Sequence, residues 1–177
     1  MAALLAAGCQ TPSQTIEAAP VATTTAADTQ GVIPRFTNDI WPAINAYRSE
    51  LGQGSPGYQQ WTGIIATLDA DQYGKLRDAT QELGQRRRED VMQGKPGSDS
   101  DLKLVDAALV ESRTESVVIQ ACYTYTVGTY PNGNAQPSAS VPSASEAAFE
   151  LRKTDNWYLS AITNDHVVQG CPASPKV

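Results

Sequence analysis

Residues 102–127 read LKLVDAALVESRTESVVIQACYTYTV. Two extended runs, Leu102 to Ser112 and Ser116 to Val127, flank the polar triplet Arg113-Thr114-Glu115, and β-branched or aromatic runs around such a triplet are the pattern of a β-hairpin. Because side chains alternate along a strand, Val117, Ile119, Ala121, Tyr123, Tyr125 and Val127 share one face of the second run, and Val118, Gln120, Cys122 and Thr124 the other. The first set is expected to face a core, which puts Cys122 on the outside. On the first run, Leu102, Leu104, Asp106, Ala108 and Val110 alternate with Val105, Ala107 and Leu109. Both sets are apolar, so alternation alone leaves its buried face open.

Downstream, a Pro, Gly, Asn and Ser-rich insertion from Tyr130 to Ser143 precedes two further extended stretches, Glu146 to Lys153 and Trp157 to Thr163, around Thr154-Asp155-Asn156. Upstream, the period changes to that of helices. Ile40, Ile44, Tyr47 and Leu51 predict a first helix over about Asn38 to Leu51, with Thr37 or Asn38 as cap and Pro42 tolerated near its first turn. Tyr58, Trp61, Ile64, Ile65 and Leu68 form a second stripe. Tyr73, Leu76, Ala79 and Leu83 form a third, capped by Asp69 or Asp71 and able to run on to Met92 before Gly94, Pro96 and Gly97. Between the first two lies Gly52-Gln53-Gly54-Ser55-Pro56-Gly57, a literal G-x-G-x-x-G that follows a helix and contains Pro. It lacks the strand-to-helix context of a dinucleotide site and reads as a turn. The expected fold class is α+β, three N-terminal helices packed on a curved four-stranded antiparallel sheet.

This order, with the closing hairpin Arg152-Lys153-Thr154-Asp155-Asn156-Trp157-Tyr158-Leu159, resembles the nuclear transport factor 2-like superfamily. From about Arg35 to Cys171 the chain resembles small actinobacterial lipoproteins of that type. The resemblance implies a cone-shaped sheet, and it implies no single function, because that fold hosts both enzymes and non-enzymes.

The front of the chain bears on location. Met1 to Ala7 is apolar, reaches Gly8 and Cys9, and turns polar at Gln10. Leu4-Leu5-Ala6-Ala7-Gly8-Cys9 resembles the bacterial lipobox, whose Cys is lipidated and becomes the mature N-terminus. Ala6 stands where Leu is commonest, and no Lys or Arg precedes the apolar run. We therefore expect residues 1–8 to be a partial signal segment whose true start lies upstream. The alternative is an Ala-rich end with an incidental Cys. Residues 9–34 are expected to form a lipidated tether rich in Thr, Ala and Pro, and residues 35–177 a single domain. The expected location is extracytoplasmic, on the outer face of a bacterial cell membrane.

With Cys9 consumed by lipid, Cys122 and Cys171 remain as an even pair in an oxidising compartment, and a disulfide is the default. Two free buried thiols are the alternative. A formal charge of -6 disfavours nucleic acid as a partner. The one concentrated basic run, Arg86-Arg87-Arg88, is followed by Glu89 and Asp90. It reads as a solvated helix face, or as a patch that meets anionic lipid headgroups.

Catalytic candidates are few. Asp106 stands among apolar neighbours, and with Tyr123 and Tyr125 on the next strand it could line a proton-transfer pocket. His166, the only histidine, is expected in a surface loop just past the last strand. No metal or cofactor motif is present, so none is expected. Trp41, Trp61 and Trp157 are read as core anchors. The functional expectation is a membrane-anchored envelope lipoprotein whose domain binds a protein or an apolar small molecule without catalysis. The alternatives are a dehydratase-like pocket enzyme using Asp106, and a structural spacer or inhibitor of envelope machinery.

Overall fold

The computed structural model describes residues 26–49, 52–84, 96–98, 102–129 and 139–171. The lipobox with Cys9, most of the expected tether and the Arg86–Arg88 run lie outside these residues.

The helical part begins earlier than periodicity predicts. Helix α1 (Val32–Arg35), a π-helical turn (Phe36–Ile40) and α2 (Trp41–Ser49) follow one another without interruption. Asp28 starts the run, its carboxylate accepting from the Val32 N–H at 2.9 Å and the Ile33 N–H at 2.8 Å. These are two of the donors that every helix N-terminus leaves unpaired. The stretch expected as tether is therefore part of the fold from Ala26, whose N–H donates to the Leu109 carbonyl at 2.7 Å, and Val32 is fully buried. The wide turn comes just before Pro42, which has no N–H to give and would clash with the carbonyl one α-turn back. At that point the Trp41 N–H reaches five residues back to Phe36, so a π-turn lets the helix pass through a proline.

Helix α3 (Pro56–Thr62) is capped by Ser55, whose hydroxyl accepts from the Tyr58 N–H, with Pro56 in the first turn. The G-x-G-x-x-G segment is thus the turn and start of a helix. The second helix stops at Thr62, short of the stripe that predicted it. Beyond Gly63 the chain extends instead, and Ile64 and Ala66 exchange hydrogen bonds of 2.8 Å with Leu159. That short parallel bridge covers part of an exposed strand edge. Helix α4 (Ala70–Glu82) opens on a reciprocal capping box of Asp69 and Gln72. It ends at Glu82, well before Gly94.

The sheet contains β1 (Pro96–Ser98), β2 (Lys103–Ser112), β3 (Ser116–Thr129), β4 (Ala139–Lys153) and β5 (Trp157–Val168). All its strand pairs are antiparallel, with β3, β4 and β5 side by side, and both β2 and the short β1 pairing with β3. The fold is α+β, three helical stretches against a four-stranded antiparallel sheet, with β1 as an added short edge piece. Strand β4 starts inside the stretch read as insertion, and β5 runs five residues past Thr163.

Phe36, Ile40, Trp41 and Ile44 on the first helical run pack against Ile119, Tyr123, Phe149 and Leu159 on one sheet face. Phe36 meets Phe149 edge-on at 5.0 Å between centroids, and Trp41 meets Tyr123 at 5.3 Å. Each such ring, fully buried, contributes roughly 1.5–3 kcal/mol by removal from water. A second aromatic layer joins the helices, with Tyr47 stacked on Trp61 at 4.4 Å. All three tryptophans are buried.

Candidate functional site

Strand phase decides which side chains meet, and four β-bulges reset it, two in the pairing of β2 with β3 and two in that of β4 with β5. The pairing of β2 with β3 slips between Leu104 and Asp106, so Val105 is an extra residue. An extra residue reverses every side chain beyond it. Leu104 opposite Tyr123, Ala107 opposite Ala121 and Leu109 opposite Ile119 therefore face the helices, whereas Asp106 lies opposite Cys122 on the outer face. The structure does not bring Asp106 to Tyr123 and Tyr125, because the sheet lies between them. Strict alternation, which grouped Asp106 with Leu104, fails at Val105.

Cys122 stands where alternation put it, on the outer face. It is bonded to Cys171 with a Cα separation of 5.6 Å. Cys171 follows β5, so the chain after Val168 crosses the outer side of β4 to reach β3, and the bond pins that crossing. His166 belongs to β5 rather than to a loop. It pairs with Glu146, itself opposite Cys122, and is therefore on the outer face.

The bulge in the pairing of β4 with β5 between Glu146 and Ala148 places Asn164 and Asp165 opposite the single residue Ala147. Asn164 takes the left-handed conformation, φ 55°, which Asn adopts more readily than most residues. The bulge turns Asp165 toward the helix side and leaves His166 pointing away. Asp165 then accepts from the Tyr123 hydroxyl at 2.5 Å and from the Gly84 N–H at 3.2 Å. The Gly84 N–H also donates to the Tyr123 hydroxyl oxygen at 3.1 Å. Beside this triad the hydroxyls of Tyr125 and Ser145 are bonded at 2.9 Å. Arg48, buried, donates to the Leu83 carbonyl at 2.8 Å and fixes the end of α4 over the same spot.

Burial sets the protonation states. Desolvation first, then the neighbouring Asp165 charge, drives the Tyr123 hydroxyl far above the ordinary phenol range, so it remains a donor. Asp165 is exposed at the rim, yet desolvation of its carboxylate by the surrounding atoms raises its pKa, against the pull of the Tyr123 hydroxyl, the Gly84 N–H and the charges of His166 and Arg48. Tyr125 is raised by burial as well. An ionised carboxylate offers about four acceptor positions, and the two donors above leave Asp165 able to accept a further hydrogen bond at the rim. The cluster can thus orient a hydroxyl-bearing molecule. Among the described residues no group of three or more His, Cys, Asp or Glu is placed to hold a metal ion.

Among the described residues no helix covers this end of the sheet face. Val167, in register with Ser145, and Val141, in register with Val127, lie on the helix-facing side, yet they are 48% and 59% exposed. Of the residues singled out from sequence, Tyr123 and Tyr125 are here. Asp165, Gly84 and Ser145 were missed, and the one local hint was Asn164-Asp165, a pair suited to a bulge.

The chain matches no protein-family model, no curated protein and no solved structure. No helix among the described residues is long and apolar enough to cross a membrane.

Proposed function

We propose that this protein is an envelope lipoprotein, held at the outer face of a membrane through lipid on Cys9. Its domain, a cone of the nuclear transport factor 2-like type, binds a small apolar molecule without transforming it. The observation that carries this reading is the pair of exposed valines, Val141 and Val167, on a sheet face whose other apolar residues are mostly buried. Val167 stands opposite Ser145, whose hydroxyl meets that of Tyr125, so polar groups at this end of the patch can orient the polar end of a ligand. The bonds of Tyr123 and Asp165 to Gly84 favour a supporting role over proton transfer, since both groups are engaged in holding α4 to the sheet.

1-Naphthol, an apolar ring with one hydroxyl, tests the reading on the full chain by fluorescence titration. Saturable binding that weakens at least tenfold in the Val141→Asp/Val167→Asp double variant is expected. Absence of saturable binding to the parent protein contradicts it. Both valines are exposed, so the double variant should keep its fold, as checked by far-UV circular dichroism.

A further inference from the structure

On the outer side of the sheet, at its other end, lies a depression of about 280 Å³. Its walls carry Glu111, Arg113, Glu150 and Arg152, and Val118 and Ser160 also line it. Two bulges flank it, because the pairing of β2 with β3 slips between Leu109 and Glu111, and that of β4 with β5 between Glu150 and Leu151. Ser160 is the extra residue of the second of these. It is 6% exposed, and its hydroxyl donates to the Glu150 carbonyl at 3.0 Å. Bulges bend the strand that carries them and recur beside binding sites.

The charges in this hollow are used unequally. Arg113 lies 3.6 Å from Glu111. Other pairs in the structure, Arg35 with Asp39, Lys75 with Asp71 and Arg77 with Asp78, close to 2.7–2.9 Å. Glu150 and Arg152 make no ion pair among the described residues, although they stand two residues apart on the same face of β4. Register fixes them there, with Glu150 opposite Val118 and Arg152 opposite Ser116. A two-residue step along a strand is roughly 7 Å. The Cα atoms of one carboxylate residue and one guanidinium residue are thus about that far apart on one face, with Val118 opposite Glu150.

We propose that this depression is a binding site for a small zwitterion of dipeptide size, its carboxylate on Arg152, its ammonium on Glu150 and its apolar side chains on Val118. Two carboxylates and two guanidiniums sum to zero charge. A simple anion would meet Glu111 and Glu150, and a simple cation would meet Arg113 and Arg152, so a ligand carrying both signs suits the lining. The volume is near the lower end for ligand sites, which suits a ligand of dipeptide size. The site is on the opposite sheet face from Val141 and Val167 and stands independently of that binding surface.

L-Alanyl-L-alanine is the probe, titrated into the ¹⁵N-labelled full chain at low salt and followed by amide chemical shifts. Saturable shifts confined to Val118, Glu150, Arg152, Ser160 and their neighbours are expected. Affinity should fall at least tenfold for N-acetyl-alanyl-alanine, which lacks the ammonium, and for alanyl-alanine amide, which lacks the carboxylate. Arg152→Gln and Glu150→Gln should each weaken binding at least tenfold while leaving the thermal midpoint unchanged, because both side chains are exposed. Shifts that do not saturate, or equal binding of the blocked peptides, would overturn the proposal. So would full affinity retained by either variant.

Discussion

The Tyr123 hydroxyl donates to the Asp165 carboxylate across 42 residues of sequence, from β3 to β5 over the intervening β4. The β4 residues beneath that bond are small, Ser145 and Ala147, and the Asn164 bulge supplies the turn that aims the carboxylate. Tyr123→Phe deletes the donor and keeps the ring. Hydrogen bonds to charged groups contribute about 1.5–3 kcal/mol, and a loss of that order is expected, read from the urea midpoint at unchanged m-value.

Two carboxylates should respond to pH with opposite sign. The pKa of Asp165 is raised in the folded chain, so the folded state binds its proton more readily than the unfolded state. Its favourable contribution is present below the unfolded carboxylate range, about 4, and is lost as pH rises through the raised folded value. Asp28 is lowered: burial raises it, but the N–H groups of Val32, Ile33, Gln30 and Gly31 together outweigh that. Its contribution is present above the unfolded value and is lost as pH falls through the folded one. Relative to the parent, Asp165→Asn should therefore gain stability as pH rises from about 4 toward 7, and Asp28→Asn should lose it. Unfolding midpoints for the three proteins across that interval check both signs.

Gly84 takes φ +71°, and a Cβ there would lie 3.2 Å from the Leu102 side chain and 3.5 Å from the Tyr125 ring. Both the left-handed backbone and the close approach call for glycine. Gly84→Ala should cost about 1–3 kcal/mol, and it should perturb the Tyr125 and Leu102 resonances more than those of α3.

The disulfide pins the chain that crosses the outer face. For a sequence separation of 49, the chain-entropy relation gives roughly 4 kcal/mol. Cys122→Ala with Cys171→Ala should lower stability by about 2–4 kcal/mol. Hydrogen exchange should rise first at residues 166–171, where β5 leads into the crossing, while the Phe36–Phe149 core stays protected.

Much of the architecture was legible because local pattern and tertiary demand agreed. The hairpin ends at Ser112 and Ser116, the Asp69 cap, the turn at residues 52–57 and the outward side of Cys122 follow from alternation, capping and turn chemistry. What was not legible turns on single extra residues. Val105 reverses the phase of β2 and carries Asp106 to the outer face, and Asn164 reverses β5 and delivers Asp165. A bulge has no periodic signature, so alternation grouped Asp106 with the wrong face, and Asp165 was marked only by the Asn beside it. The helix start was missed because the π-turn ahead of Pro42 shifts the helical phase over Phe36–Ile40, and a 3.6-residue period does not show such a turn. The truncation of α3 has a tertiary origin, because Ile64 and Ala66 find their backbone partner in Leu159, 93 to 95 positions away.

The central claim, that the uncovered end of the helix-facing sheet surface receives an apolar molecule, is tested most directly by methyl NMR of the full chain during titration with 1-naphthol. We expect saturable shifts of the Val141 and Val167 methyls, accompanied by the Tyr125 ring, with Val32 and Val117 in the closed core unmoved. Methyl positions at Val141 and Val167 that stay fixed while the probe binds elsewhere, or throughout the titration, would contradict it.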